Sequence, residues 1–200
     1  MISNRLIGGL VISWCSSAQA VVFVSDEINT TPRPSDFSIC FDNSCQTIRQ
    51  LSLTDDQWQG IRAMFLPGTR TPDMERTMIK RAVAQLEQII GPLTGTAHDR
   101  GTNETTGNPL DHRMDCIDES TNTTTYLYML QQDGLLHWHR VKEPVTRGFL
   151  LFGWPHTTAV IEQENNRQLW AVDSWFHDNG TAPEIVPLEQ WKQGWSPTDR

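Results

Sequence analysis

The last third of the chain reads as strands joined by short polar links, and one of those links decides which side chains can meet. Alternating or apolar runs at 135–141, 148–152, 156–162 and 168–175 follow one another closely, the pattern of strands rather than of helices. Between the last two lies Glu164-Asn165-Asn166-Arg167, rich in turn-forming residues. A two-residue turn at 164–165 would set His156 directly opposite Asp173. A four-residue turn over 164–167 makes the same pair diagonal neighbours on one face, and an odd-length turn puts them on opposite faces.

Upstream, the pattern is helical. Thr54 ahead of Asp55 and Asp56 predicts a helix running towards Phe65 and stopped by Pro67-Gly68. Thr71 as cap, Pro72 at the first helical position and Asp73 and Glu75 in the first turn open a stronger one. Met74, Met78, Ile79, Ala82, Val83, Leu86, Ile89 and Ile90 then recur at helical spacing until Gly91-Pro92, where the helix is expected to end. Residues 94–111 are mostly Gly, Thr, Asn and Asp and predict a long loop. Asp115 is placed to cap a third helix, with Cys116 in its first turn, Tyr126, Leu127, Met129 and Leu130 further on, and Gly134 as its stop.

The N-terminus constrains the cysteines. Arg5, an apolar stretch at 6–14 and Ser17-Ala18-Gln19-Ala20 are the three parts of a secretory signal. Residues 1–20 are therefore read as a signal peptide and 21–200 as one domain, periplasmic or secreted. A lipoprotein signal ending at Cys15 fits less well, because Trp14 stands where such signals carry a small residue. The apolar stretch is too short to span a bilayer, so no stable membrane anchor is expected. Cys15 leaves with the signal. In an oxidising compartment Cys40 and Cys45 can close a small loop through a turn at Asp42-Asn43. A zinc reading of that pair lacks a second Cys/His pair of matching spacing. Cys116 is then the odd thiol, and its polar neighbours Asp115, Asp118 and Glu119 argue against deep burial.

Composition narrows the partners. A net charge of −8 disfavours nucleic acid or an anionic membrane surface. Trp58, Trp138, Trp154, Trp170, Trp175, Trp191 and Trp195 offer large amphipathic surfaces for a core or a groove. Asn-x-Thr sequons at Asn29, Asn103, Asn122 and Asn179 are short enough to arise by chance.

Cys116, His156 and Asp173 together are the parts of a cysteine nucleophile, its base and the group that orients the base. A helix N-terminus favours a thiolate, and the Cys116 N–H can face an oxyanion. Asp118 and Glu119 work against this, since negative charge raises a thiol pKa. On Asp115-Cys116-Ile117-Asp118, Pro155-His156-Thr157-Thr158-Ala159-Val160 and Ala171-Val172-Asp173-Ser174-Trp175, the chain resembles the transglutaminase-like cysteine proteinase superfamily, in particular its exported bacterial branch. The resemblance covers roughly residues 115–175. It implies an α+β fold with a papain/transglutaminase-like core, a Cys-bearing helix on an antiparallel sheet that presents His and then Asp, with extra helices N-terminal to it. It also implies catalytic roles for Cys116, His156 and Asp173 on a peptide or amide bond of a protein or peptide substrate. Ile117 follows Cys116 where branch members often carry an acid, so no metal is assigned beside the thiol, and the chemistry calls for no cofactor.

In the implied mechanism His156 takes the Cys116 proton, the thiolate attacks a carbonyl, Asp173 holds the imidazole, and water or an amine releases the acyl-enzyme. Two other classes fit the residues. A non-catalytic exported binding domain would use the tryptophan-rich surface. A metal-binding protein would use His137 and His139, alternating on one strand face, with His156 or His177.

Overall fold

The computed structural model describes residues 28–66, 68, 70–103, 112–148 and 155–198. The signal-peptide reading and the strand expected at 148–152, apart from Gly148, lie outside the described residues. Among the described residues the chain is a mixed α/β fold with four helices and two antiparallel sheets.

A hairpin of β1 (Phe37–Phe41) and β2 (Thr47–Leu51) comes first, followed by helices α1 (Asp55–Phe65) and α2 (Pro72–Thr94). Both helices start where their caps direct. Thr54 accepts from the Gln57 N–H while the Gln57 side chain returns to the Thr54 N–H, a capping box. Thr71 accepts from the Met74 N–H, and Pro72 sits where a missing N–H is harmless. The expected stop at Gly91-Pro92 is corrected: α2 continues through Pro92 to Thr94 and ends on Gly95, left-handed at φ 85°. Gly91 serves close approach instead of termination. A Cβ there would lie 2.6 Å from the Asn179 amide nitrogen and 2.9 Å from the Ala97 Cα.

Helix α3 (Cys116–Gln132) is the central element and packs on β1, α2 and the larger sheet. Leu127, Met129 and Leu130 are completely buried, each contributing about 2 kcal/mol of apolar transfer. The larger sheet has the order β3 (His139–Arg147), β4 (His156–Gln163), β5 (Leu169–Asp173), β6 (Glu184–Pro187), antiparallel throughout. The strand expected at 135–141 is displaced: β3 starts at His139 and runs on through Pro144. The register shifts between Lys142 and Val145, so this edge strand holds a proline at a bulge, where no ladder N–H is required.

Side-chain alternation divides the sheet into two faces. Val141, Ala159, Ile161 and Val172 share the main core with α3. Val160 and Ala171 face the other way and are covered by Leu188 and Trp191 of α4 (Leu188–Lys192).

Candidate active site

Asp115 holds the N-terminus of α3. Its Oδ1 accepts from the N–H groups of Ile117 and Asp118, and Asp118 Oδ2 accepts in return from the Asp115 N–H. This capping box places Cys116 at the first helical position, as its neighbours predict. The β1–β2 loop closes over the same helix end. Asp42, Asn43, Ser44 and Cys45 are four successive left-handed residues, with φ of 69°, 61°, 57° and 55°. None is glycine, so the conformation is costly and has to be held from outside. Ser44 donates its N–H (2.9 Å) and hydroxyl (3.0 Å) to Asp115 Oδ2, and Cys45 donates its N–H to Asp118 Oδ1 at 2.6 Å. Successive left-handed residues turn their N–H groups into a cradle for anions, and here the anions are the helix's own capping carboxyls. The Cys40–Cys45 disulfide expected from spacing and compartment closes this loop. On the neighbouring turn of α3, Asn122 accepts from the Cys40 N–H (2.9 Å) and donates to the Cys40 carbonyl (2.8 Å). A single side chain thereby ties α3 to β1 as a strand would.

The turn after Gln163 has four residues. The Gln163 N–H donates to the Gln168 carbonyl, and Ala159 pairs with Val172. His156 and Asp173 are therefore diagonal neighbours on one face, one of the two even-length outcomes. His156 Nε2 lies 2.7 Å from Asp173 Oδ2. An accepting carboxylate there requires a proton on Nε2. Nδ1 is buried and has no hydrogen-bond partner among the described residues. The ring lies among Trp175 (centroids 4.6 Å apart), Phe176 and Trp191 (each 5.4 Å).

Cys116 approaches the backbone beside this pair. Its sulfur lies 3.9 Å from the carbonyl oxygen of Pro155, immediately before His156. The Thr157 N–H also faces it. No hydrogen bond joins the thiol to the imidazole, whose ring packs against Trp191 of α4. Helix and strand thus bring Cys116 to the backbone around His156, but not to the ring.

Burial pushes the Cys116 thiol up to about 11, with Asp115 and Asp173 adding to the shift against the Thr157 N–H. The expectation that Asp118 and Glu119 would do this is corrected, because both are themselves buried. Burial raises Asp118 to about 7, Glu87 to about 7 and Asp99 to about 7, and holds Glu119 well above the carboxylate range. Glu87 and Glu119 line a small interior space with Thr96, Asn122 and Tyr126. The inside of the molecule beneath α3 is therefore a set of carboxyl groups drawn towards protonation.

The metal-binding alternative is not assembled. His139 is buried with Nδ1 on Glu75 Oε1 (2.9 Å) and Nε2 against the Arg76 guanidinium (3.1 Å). Glu75 also accepts backbone N–H groups from His137, Trp138 and His139, so this group is a structural joint between α2 and β3. His177 is engaged with Glu184 at 2.9 Å. Among the described residues the one convergence of three potential ligands is Cys40, Cys45 and Asp118, and there the two sulfurs are bonded to each other.

Sequence reasoning missed Trp191, whose indole N–H donates to Asp173 Oδ2 at 2.7 Å. Its only signal was membership of a tryptophan-rich C-terminus. No protein-family model, curated protein or solved structure matches the chain.

Proposed function

We propose that this protein is a thiol-dependent acyl-transfer enzyme, a cysteine peptidase or amidase, in which Cys116 is the nucleophile, His156 the base and Asp173 its orienter. The reading rests chiefly on the buried His156–Asp173 contact of 2.7 Å, with Nδ1 left unpartnered beside the strand end that Cys116 touches. A base needs a held tautomer and a free lone pair; the Asp173 contact and the unpartnered Nδ1 are in keeping with both. The resting sulfur is a neutral thiol, so the proton has to pass to Nδ1 as the sulfur attacks the carbonyl. Attack forms the C–S bond and collapse expels the amine, which takes the proton from His156. Water then releases the acid, or a second amine releases a new amide. The Cys116 N–H, at the first helical position, is the oxyanion donor we assign. The papain/transglutaminase-like core and an exported location belong to the same proposal; the Cys40–Cys45 disulfide is in keeping with export, and no helix among the described residues is long and apolar enough to cross a membrane.

A second reading, a non-catalytic domain of the same fold, draws on two observations: the thiol raised to about 11 and the lack of a hydrogen bond between it and the imidazole. Alkylation separates the two. Iodoacetamide should modify native Cys116 faster than a buried thiol raised to about 11 allows by itself, and His156→Ala should abolish that advantage. A slow modification, indifferent to His156, would establish the non-catalytic reading.

A further inference from the structure

We infer that Trp191 is a positioning residue that fixes the Asp173 carboxyl, and through it the tautomer and orientation of His156. Its catalytic meaning rests on the acyl-transfer reading; its structural meaning does not. The indole N–H (2.7 Å) and His156 Nε2 (2.7 Å) converge on one oxygen, Asp173 Oδ2. Two donors arriving at one oxygen from different elements determine the carboxyl's rotation. A carboxyl held by the imidazole alone could turn either oxygen, or swing with the ring.

The indole cannot move to accommodate the carboxyl, because it is held in three ways. It is completely buried, packed with Leu188 on the sheet face formed by Val160 and Ala171. The Arg147 guanidinium carbon lies 4.4 Å from the ring centroid. Arg147 also donates to the backbone carbonyls of Trp191 and, at 2.9 Å, Trp195. Arg147 in turn pairs with His156 in the β3–β4 register. A closed circuit results: β3 through Arg147 holds the indole, the indole holds the carboxyl of β5, and the carboxyl holds the imidazole of β4, the strand next to β3. A cation over the π face draws electron density from the ring and makes the N–H a better donor. Trp191 bonds to Asp173 and packs on the His156 ring (centroids 5.4 Å apart) without bonding to a reacting atom, so it acts by positioning these two rather than as a catalytic residue.

The test removes the N–H and little else. Replacing Trp191 by 3-benzothienylalanine, or by the simpler Trp191→Phe, deletes the donor while keeping an aromatic ring. His156 nitrogen shifts in ¹⁵N-labelled protein should show the Nε2–H tautomer in the native chain and a mixture of tautomers in the variant. His156-dependent alkylation of Cys116 should fall about tenfold, the ratio one charge-assisted hydrogen bond is worth. Should the variants fail to fold, hydrogen exchange of the native indole N–H decides. A strongly protected N–H supports the assignment, and one exchanging like free tryptophan overturns it. An unchanged tautomer and alkylation rate in a folded variant also overturn it. Alkylation indifferent to His156→Ala, with the tautomer still dependent on Trp191, would remove the acyl-transfer reading and leave the positioning intact.

Discussion

The imidazole end and the thiol end of the candidate site are organised on opposite terms. Around Asp173 the contacts are N–H donors, and a guanidinium lies over the indole that supplies one of them. Around Cys116 the neighbours are carboxyls, with Asp115 and Asp118 capping the helix and Glu119 and Asp99 buried behind it. Hydrogen-bond geometry defines the first end. At the second, burial draws Asp99, Asp118 and Glu119 towards protonation, so proton supply governs it. A site with one half rigidly polar and the other half desolvated separates orientation from activation. On the acyl-transfer reading proposed above, the His156–Asp173 contact supplies the orientation, and activation of the sulfur is left to substrate binding.

The largest test of the contrast removes the charge at the imidazole end. Asp173→Asn should lower His156-dependent alkylation of Cys116 about a hundredfold, the lower range for loss of an effective base, with circular dichroism unchanged. An unaffected rate would mean that the two ends do not communicate.

Next comes the proton dependence of the thiol end. Glu87, Asp99 and Asp118 bind protons up to about pH 7 in the folded chain, against ordinary values of 4.5, 3.8 and 3.8. Between those limits the folded state holds more protons than the unfolded state, so stability falls as pH rises towards 7. Asp42, Glu75, Asp133 and Glu184 are lowered in the folded chain, burial being outweighed by hydrogen bonds in Asp42, Glu75 and Glu184, and the Arg62 contact dominating in Asp133. Their contribution is lost only as pH falls below the ordinary carboxylate range. The thermal midpoint should therefore rise by on the order of 5 °C from pH 8 to pH 5. Glu87→Gln should remove part of that rise by stabilising the chain at pH 8. A flat profile in the native chain would show these carboxyls to be hydrated.

Smaller effects come from the loop that grips α3. Cys40→Ala with Cys45→Ala should lower stability by about 2 kcal/mol in urea denaturation. Asn43→Gly should raise it by about 0.5 kcal/mol, since glycine adopts the left-handed conformation that Asn43 holds at φ 61°. A loss of stability on the glycine substitution would mean that the Asn43 side chain supports the cradle.

What the sequence disclosed follows from the range of each interaction. Caps at Thr54, Thr71 and Asp115 were legible because they join residues three apart. The turn after Gln163 was legible up to a choice of length, which sufficed to bring His156 and Asp173 together. The β1 strand was not, since Phe37-Ser38-Ile39-Cys40-Phe41 is buried on both faces and lacks alternation. Nor was β3 beyond Val141, because a bulge carries it past Pro144. Asp118 and Glu119 read as solvent-facing by type, whereas packing beneath β1 and against α2 buries them. Trp191 was invisible for the same reason, as its partner on β5 is set by tertiary structure alone.

The Asn122 amide has a consequence for how the protein can be made. It is 3% exposed and engages both the N–H and the carbonyl of Cys40, yet it heads the sequon Asn122-Thr123-Thr124. A glycan attached during synthesis would occupy that nitrogen before α3 met β1, and the hairpin would have nowhere to dock. Production in a host that glycosylates secreted chains should yield misfolded material, and Thr124→Ala should restore it without altering the amide bridge.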